Sequence, residues 1–294
     1  MGISPGSSIV SLPEIDGPTP TLIEFLSARF PHVSKNIWLQ RIETGKILTE
    51  GGNPVTLNTP YAPNTRLFYF REVEDEPSIP FKEKIIFISD HLIVVCKPHF
   101  LPVTPSGPYV LETVINRIKE KTGNPSISPI NRIDRETAGL VLLSSNKETR
   151  GCYQQLFMEG RVQKTYEAVV HYQNASEKRE WLVENRIETA KPWFLMKCCP
   201  GQTNARSKLK LVRSNGAKAL FTLSPLTGKK HQLRVHLSDL GFPIVNDRYY
   251  PQLLPEKSLD FDHPLQLLSK KIEFRDPISG CKLAFESDRP LQTF

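Results

Sequence analysis

Six short runs of aliphatic, aromatic and β-branched residues, at 85–88, 92–96, 140–143, 166–170, 209–212 and 219–223, set the terms on which the chain after residue 81 can fold. Each has the length of a strand and is too short for a free-standing helix. Helical patterns lie between them at 111–119 and 153–159, and another begins near His231. The intervals are too uneven for a βαβ series or an internal repeat. The expected class is therefore α+β, built on a mixed or antiparallel sheet.

The first 80 residues read differently. Residues 1–17 are rich in Gly, Ser and Pro without a period and read as a flexible tail. Helical patterns follow at 21–26 and 34–42, with Ser34 as a cap and Gly45 as a stop. Short strands are expected at 47–49 and 66–70, separated by the turn-forming segment 50–54. These elements make a small module over 18–74. Residues 75–80, acidic and carrying prolines, read as an extended linker to a second domain at 81–294.

Several function classes lose support at once. Neither a dinucleotide-binding glycine pattern nor a phosphate-loop motif is present, so no cofactor is expected. The 5 cysteines show no paired spacing and the histidines no metal-ligand pattern, which predicts reduced thiols and no metal. No apolar run approaches the roughly 20 residues that span a bilayer, and residues 1–12 lack the build of a signal peptide. A cytoplasmic monomer with no membrane contact is the default expectation. The charge is uneven: 15 lysines and arginines against 6 acids over 161–240, but 6 against 9 over 1–80. A polyanion would be held by the middle of the chain.

The segment Asn131-Arg132-Ile133-Asp134-Arg135-Glu136-Thr137-Ala138-Gly139 places a carboxylate between two arginines immediately before an apolar run. Flanking cations favour the ionised form, which suits Asp134 to nucleophilic or basic work. Gly139 permits close backbone approach where the loop enters a strand. Two further segments stand out, Lys164-Thr165-Tyr166 and Thr227-Gly228-Lys229-Lys230-His231-Gln232-Leu233-Arg234-Val235-His236. Taken singly, the tyrosine fits a half-buried strand position and the cations a solvated helix face.

Together the three segments resemble the motifs of the RluA-type pseudouridine synthases, usually written H-R-L-D-R-x-T-S-G-L-L, K-x-Y and T-G-R-x-H-Q-I-R-x-H. Asn131 stands here for His, Ile133 for Leu, Ala138 for Ser and Lys229 for Arg. The resemblance starts at Asp90-His91-Leu92 and runs through Lys97-Pro98 to His263-Pro264-Leu265-Gln266-Leu267. Phe100 stands where glycine is usual, which predicts a differently built turn. The resemblance implies the pseudouridine synthase catalytic fold, and the 18–74 module resembles an S4-like α/β fold that often precedes it.

By the same resemblance, Asp134 is the catalytic aspartate, Arg234 its basic partner, and Tyr166 the residue that stacks on the target base and assists proton removal. Arg132 organises the site, and Arg135 enters the space left by the flipped nucleotide. Lys97, Lys164, Lys229, Lys230, His231 and Asn131 are expected to touch RNA. The implied partner is structured RNA, transfer or ribosomal, and the implied reaction is isomerisation of uridine to pseudouridine. Two other readings remain open at this level: a non-catalytic RNA-binding protein on the same scaffold, and a glycoside hydrolase with Glu136 as a second carboxylate. The stretch 180–206, with Trp181, Trp193 and Phe194, is a candidate selectivity region.

Overall fold

A computed structural model describes residues 2–3, 7–31, 33–73, 75–173, 177–255 and 261–292. The chain divides into two units, Met1–Pro77 with Pro105–Leu111, and Ser78–Thr104 with Glu112–Phe294.

In the first unit, β1 (Gly2–Ile3) and β2 (Ser8–Ser11) precede α1 (Leu22–Arg29) and α2 (Lys35–Glu43), and β3 (Ile47–Thr49), β4 (Arg66–Tyr69) and β5 (Glu72–Val73) follow. Thr21 and Glu24 form a reciprocal capping box at α1, and the Ser34 hydroxyl accepts the Ile37 N–H at α2. Gly45, at φ +67°, turns the chain out of α2 into β3. Three strands form a sheet in the order β2-β4-β3, and β1 pairs with β5. Trp38, Leu26, Ile47 and Leu67 pack in its core.

Residues 8–12 correct part of the expected tail at 1–17, of which residues 1 and 4–6 lie outside the described residues. Ser8–Ser11 pairs antiparallel with β4, and Val10 and Leu12 are buried. The alternation Ile9-Val10-Ser11-Leu12 is short, but an open β4 edge beside an apolar core gives it both hydrogen-bond partners and a place to bury two side chains. Residues 75–80 are also not a bare connector. The Glu76 carboxylate accepts the Val110 and Leu111 N–H groups, and Ile79 is buried. The boundary between units falls at 77/78, and Pro105–Leu111 groups with the first unit instead of the 81–294 domain.

The second unit contains, in chain order, β6 (Lys84–Ile88), β7 (Leu92–Lys97), α3 (Val114–Thr122), β8 (Ser128–Pro129), β9 (Ala138–Ser144), α4 (Arg150–Met158) and β10 (Gln163–His171). Then come β11 (Glu180–Thr189), β12 (Met196–Cys199), β13 (Ala205–Ser214), β14 (Lys218–Pro225), α5 (Gln232–Asp239), β15 (Leu267–Arg275) and β16 (Lys282–Glu286). Eleven strands form one sheet, ordered β12-β11-β13-β14-β10-β15-β9-β7-β6, with β16 on β15 and β8 on β9. Pairing is antiparallel except between β15 and β9. The α+β expectation with a mixed sheet holds.

Position in this sheet follows from side-chain pattern. Every residue of β9 is buried, as a central strand requires. β13 alternates buried and exposed over Ala205–Lys210, because one face packs and the other meets solvent. Helix α3 starts three residues later than the pattern suggests, since Thr113 caps it through the Asn116 N–H and Gly123 ends it at φ +67°. Phe100 also differs from expectation. Its φ of +68° is the left-handed conformation a glycine would take, so the turn keeps that geometry and a phenylalanine bears the strain. Its ring packs against Phe81 and Phe261 at 6.1 and 5.2 Å.

Candidate active site

The loop between Ile130 and β9 is pinned along its length. The Asn131 side-chain oxygen accepts the Leu142 N–H at 2.8 Å, and the Thr137 N–H donates to Asp134 O at 3.1 Å. From β7, Lys97 Nζ donates to the carbonyls of Pro98 at 2.9 Å and Arg135 at 2.8 Å. His99 Nδ1 meets the Glu136 carbonyl at 2.6 Å. At the loop's end, Gly139 (φ +106°) lies against β15 so closely that a Cβ there would sit 2.2 Å from Ser269 O. This loop carries Asp134 at a sheet-held junction, with its side chain 26% exposed.

The cation facing Asp134 comes from far along the chain. Arg234 Nη1 donates to Asp134 Oδ2 at 3.2 Å, across 100 residues of sequence. Flanking Arg135 instead binds Glu136, its Nε 2.7 Å from Oε1, and Arg132 is exposed at the cleft wall. Arg234 is held from behind: Nε and Nη2 donate to the two oxygens of Asp247 at 2.8 and 2.7 Å. The rings of Tyr249 and Tyr250 lie 4.7 and 5.4 Å from its guanidinium carbon. Burial alone would lower the Arg234 pKa, but hydrogen bonding and the charges of Asp247 and Asp134 raise it further, so the group is a fixed cation.

Helix α5 places these groups. His231, at its N-terminus, has φ +55°, and residues 232–237 are all buried. Gln232 ties the preceding loop down, donating to Arg206 O and Ser207 Oγ and accepting from Thr227 Oγ1 and the Lys229 N–H. His231 Nδ1 lies 2.8 Å from Tyr250 Oη, and Nε2 lies 3.9 Å from Asp134 Oδ1. Burial pushes the His231 pKa down to about 4, so the ring is neutral at pH 7.

Tyr166 stands on β10 just after a register shift between Thr165 and Tyr166, an irregularity that re-aims a side chain. Burial pushes its hydroxyl up to about 12, and the charge of Asp134 pushes the same way. It is therefore a phenol at neutral pH, fit to stack and donate. It can take a proton only after losing its own.

Asp134, Tyr166 and Arg234 line one open cleft of about 940 Å³ with Asn131, Arg132, Lys164, Lys229 and His231. That volume lies at the upper end of ligand clefts, roughly 300–1,000 Å³. Lys230 stands outside the lining, its Nζ 5.3 Å from the Trp193 ring centre. Lys97 is a correction: it is fully buried and bonded to two backbone carbonyls, so it shapes the Asp134 loop and cannot touch RNA. Arg135 is absent from the cleft lining and paired with its neighbour. His231 and Asn131 line the cleft, yet both also make internal contacts that fix the site.

Two residues escape the sequence reading. Lys208 lines the cleft, and the alternation of β13 carries the signal for its exposed face. Asp247 carries none, since nothing in Asn246-Asp247-Arg248 marks a buried carboxylate. In the 180–206 stretch, Trp181 packs against the core while Trp193 is 65% exposed.

Comparison with known proteins identifies the family of this chain. Residues 91–239 match the family model described as RNA pseudouridylate synthase. A dual-specificity RNA pseudouridine synthase, RluA, from Vibrio vulnificus is 31% identical over 211 residues, 69% of this chain and 81% of that protein. The mitochondrial tRNA pseudouridine(32) synthase of Saccharomyces cerevisiae is 30% identical over 172 residues, 57% of this chain and 37% of that protein. The solved structure of human RNA pseudouridylate synthase domain containing 1 shares the fold, with TM-score 0.59 and 21% identity over 74% of this chain and 87% of that one. The chain belongs to the RNA pseudouridylate synthase family. It is of the RluA type, an enzyme that isomerises uridine in RNA to pseudouridine.

Proposed function

We propose that Asp134 is the carboxylate that acts at the ribose of a flipped uridine, with Arg234 orienting it and Tyr166 walling the base. The observation that carries the reading is the meeting of Asp134, Arg234 and Tyr166, distant in sequence, around one cleft. Pseudouridine formation breaks N1–C1′, turns the uracil, forms C5–C1′ and releases the C5 proton. Asp134 would begin this by attacking C1′ or by taking a proton from C2′, and its place on the wall of an open cleft gives a flipped nucleotide access to it. Tyr166, a phenol in the resting site, would stack on the uracil and hold it through the turn.

Unstacking the uridine costs roughly a few kcal/mol. Arg132, Lys164, Lys208 and Lys229 line the cleft and would offset this through phosphate contacts. Arg135 would have to leave Glu136 to fill the vacancy in the RNA. The target in this reading is structured RNA, either transfer or ribosomal, handled in the cytoplasm by a monomer with no cofactor. The first unit, with two capped helices and a small sheet, is taken as an S4-like module. Among the described residues no helix is long and apolar enough to cross a membrane.

The test uses transfer RNA and ribosomal RNA transcripts tritiated at uridine C5, with the native protein and Asp134→Asn. Native protein should release tritium to water and leave mappable pseudouridine, and the variant should bind the same RNA without release. Release by Asp134→Asn at the native rate would refute the assignment.

A further inference from the structure

Asp247 is a side chain with 1% exposure whose oxygens are spent on four donors: Arg234 Nε and Nη2, and the N–H groups of Tyr249 and Tyr250. The first pair takes one N–H each from Nε and Nη2, and Nη1 is the atom that Arg234 turns to Asp134. The second pair folds the 247–250 turn and thereby sets the place of the Tyr250 ring.

Tyr250 determines the state of His231. Its hydroxyl oxygen accepts the Met196 N–H at 2.8 Å and lies 2.8 Å from His231 Nδ1, to which its single proton is assigned. The opposite assignment, with Nδ1 donating, would leave the buried Tyr250 proton with no acceptor among the described residues. A neutral His231 therefore accepts at Nδ1 and carries its proton on Nε2, the atom that faces Asp134 Oδ1. Arg234 meets Oδ2 and His231 faces Oδ1, so each oxygen of Asp134 has its own N–H opposite. At 3.9 Å the His231 donor is near but not bonded, which leaves Oδ1 open to a ribose atom.

We propose that Asp247 is the positioning residue of this site, fixing Arg234 directly and His231 through Tyr250, so that Oδ2 of Asp134 is clamped and Oδ1 is the reacting oxygen. This rests on the reading of Asp134 as the acting carboxylate. Asp247 touches no substrate in this scheme. It works by holding the donors, and a loose donor in such a site lowers rate more than affinity.

The experiment takes whichever C5-tritiated transcript, transfer or ribosomal, the native protein converts faster. It measures the single-turnover rate of tritium release, RNA affinity by filter binding, and the ¹⁵N shifts of His231, assigned with His231→Gln. Asp247→Asn should lower the rate on the order of 100-fold with RNA affinity within about twofold. Tyr250→Phe should shift His231 from the Nε2–H form to a tautomer mixture and slow release about tenfold. Asp247→Glu should recover part of the lost rate. A native rate in Asp247→Asn, or equal losses in rate and affinity, would overturn the proposal. So would a His231 tautomer that Tyr250→Phe leaves unmoved, which decides the matter if Asp247→Asn does not fold. Asp134→Asn separates the two levels: if it remains active, the reading of the site is wrong, whereas an inactive Asp134→Asn beside a fully active Asp247→Asn removes only the role given to Asp247.

Discussion

Replacing Lys97 with methionine should remove a pH dependence of stability that the native chain carries between neutral and mildly alkaline pH. Lys97 is fully buried, and its ammonium is met by two carbonyl oxygens and, among the described residues, by no carboxylate within ion-pair distance. Burial lowers its pKa from 10.5 to about 7, with only partial relief from the charges of Glu136 and Asp134. The unfolded chain therefore keeps this proton up to about 10.5 while the folded chain gives it up near 7. The unfolded state binds more protons throughout that window, so stability rises with pH. Each pH unit contributes about 1.4 kcal/mol, and roughly 3 kcal/mol accumulates between about pH 7 and 9.5. Methionine has no proton to lose, and its loss of two hydrogen bonds is an offset independent of pH. Urea unfolding read by Trp181 and Trp193 fluorescence, with Trp38→Phe in both proteins, follows the second unit alone. The difference between native and Lys97→Met should climb with pH by that amount. Parallel stability curves would show that burying this ammonium carries no such penalty and would refute the reasoning.

Gly139→Ala places a methyl group 2.2 Å from Ser269 O at φ +106°, so the β9–β15 pairing must open, and a stability loss above about 3 kcal/mol is expected; an unchanged melting temperature would contradict this. On the acid side, burial holds His231 and His236 at about 4, below the 6.5 of an unfolded chain. The unfolded state takes up those protons first, so stability should fall as pH drops from 6.5 towards 4, and the double variant His231→Gln/His236→Gln should flatten that decline in a melting series.

What can be read from residues alone follows the range of the interaction. Ser34 and Gly45 bound α2 through contacts within a few residues, and both are legible. The apolar run in β9 announces a central strand. β11 is harder, because charged residues on its solvent face break up Trp181, Val183 and Ile187. Ser8–Ser11 is a strand only because β4 offers it an edge. At the site, Asp134, Tyr166 and Arg234 stand out through their motifs. The fate of Lys97 does not, since a lysine ending an apolar run can snorkel out or be swallowed, and the Arg135 carbonyl that holds it lies 38 residues away. Asp247 gains its meaning from α5, whose orientation is a product of packing.

The pairing order of the sheet governs when the enzyme comes into being. β10, β14, β13, β11 and β12 form one run, β9, β7 and β6 another, and β15 is the strand between them. Asp134 is anchored to the second run, while Tyr166 and Arg234 belong to the first. A chain emerging from the ribosome therefore presents every strand of both runs, and α5, before the joining strand is made. Until residues 267–275 emerge, β10 exposes an unpaired edge, β9 lacks its partner at Ala138 and Gly139, and Asp134 has no fixed bearing on Arg234. Competence to modify RNA is expected only after β15 is made, and the β10 edge left open until then marks the interval in which a chaperone would be of most use.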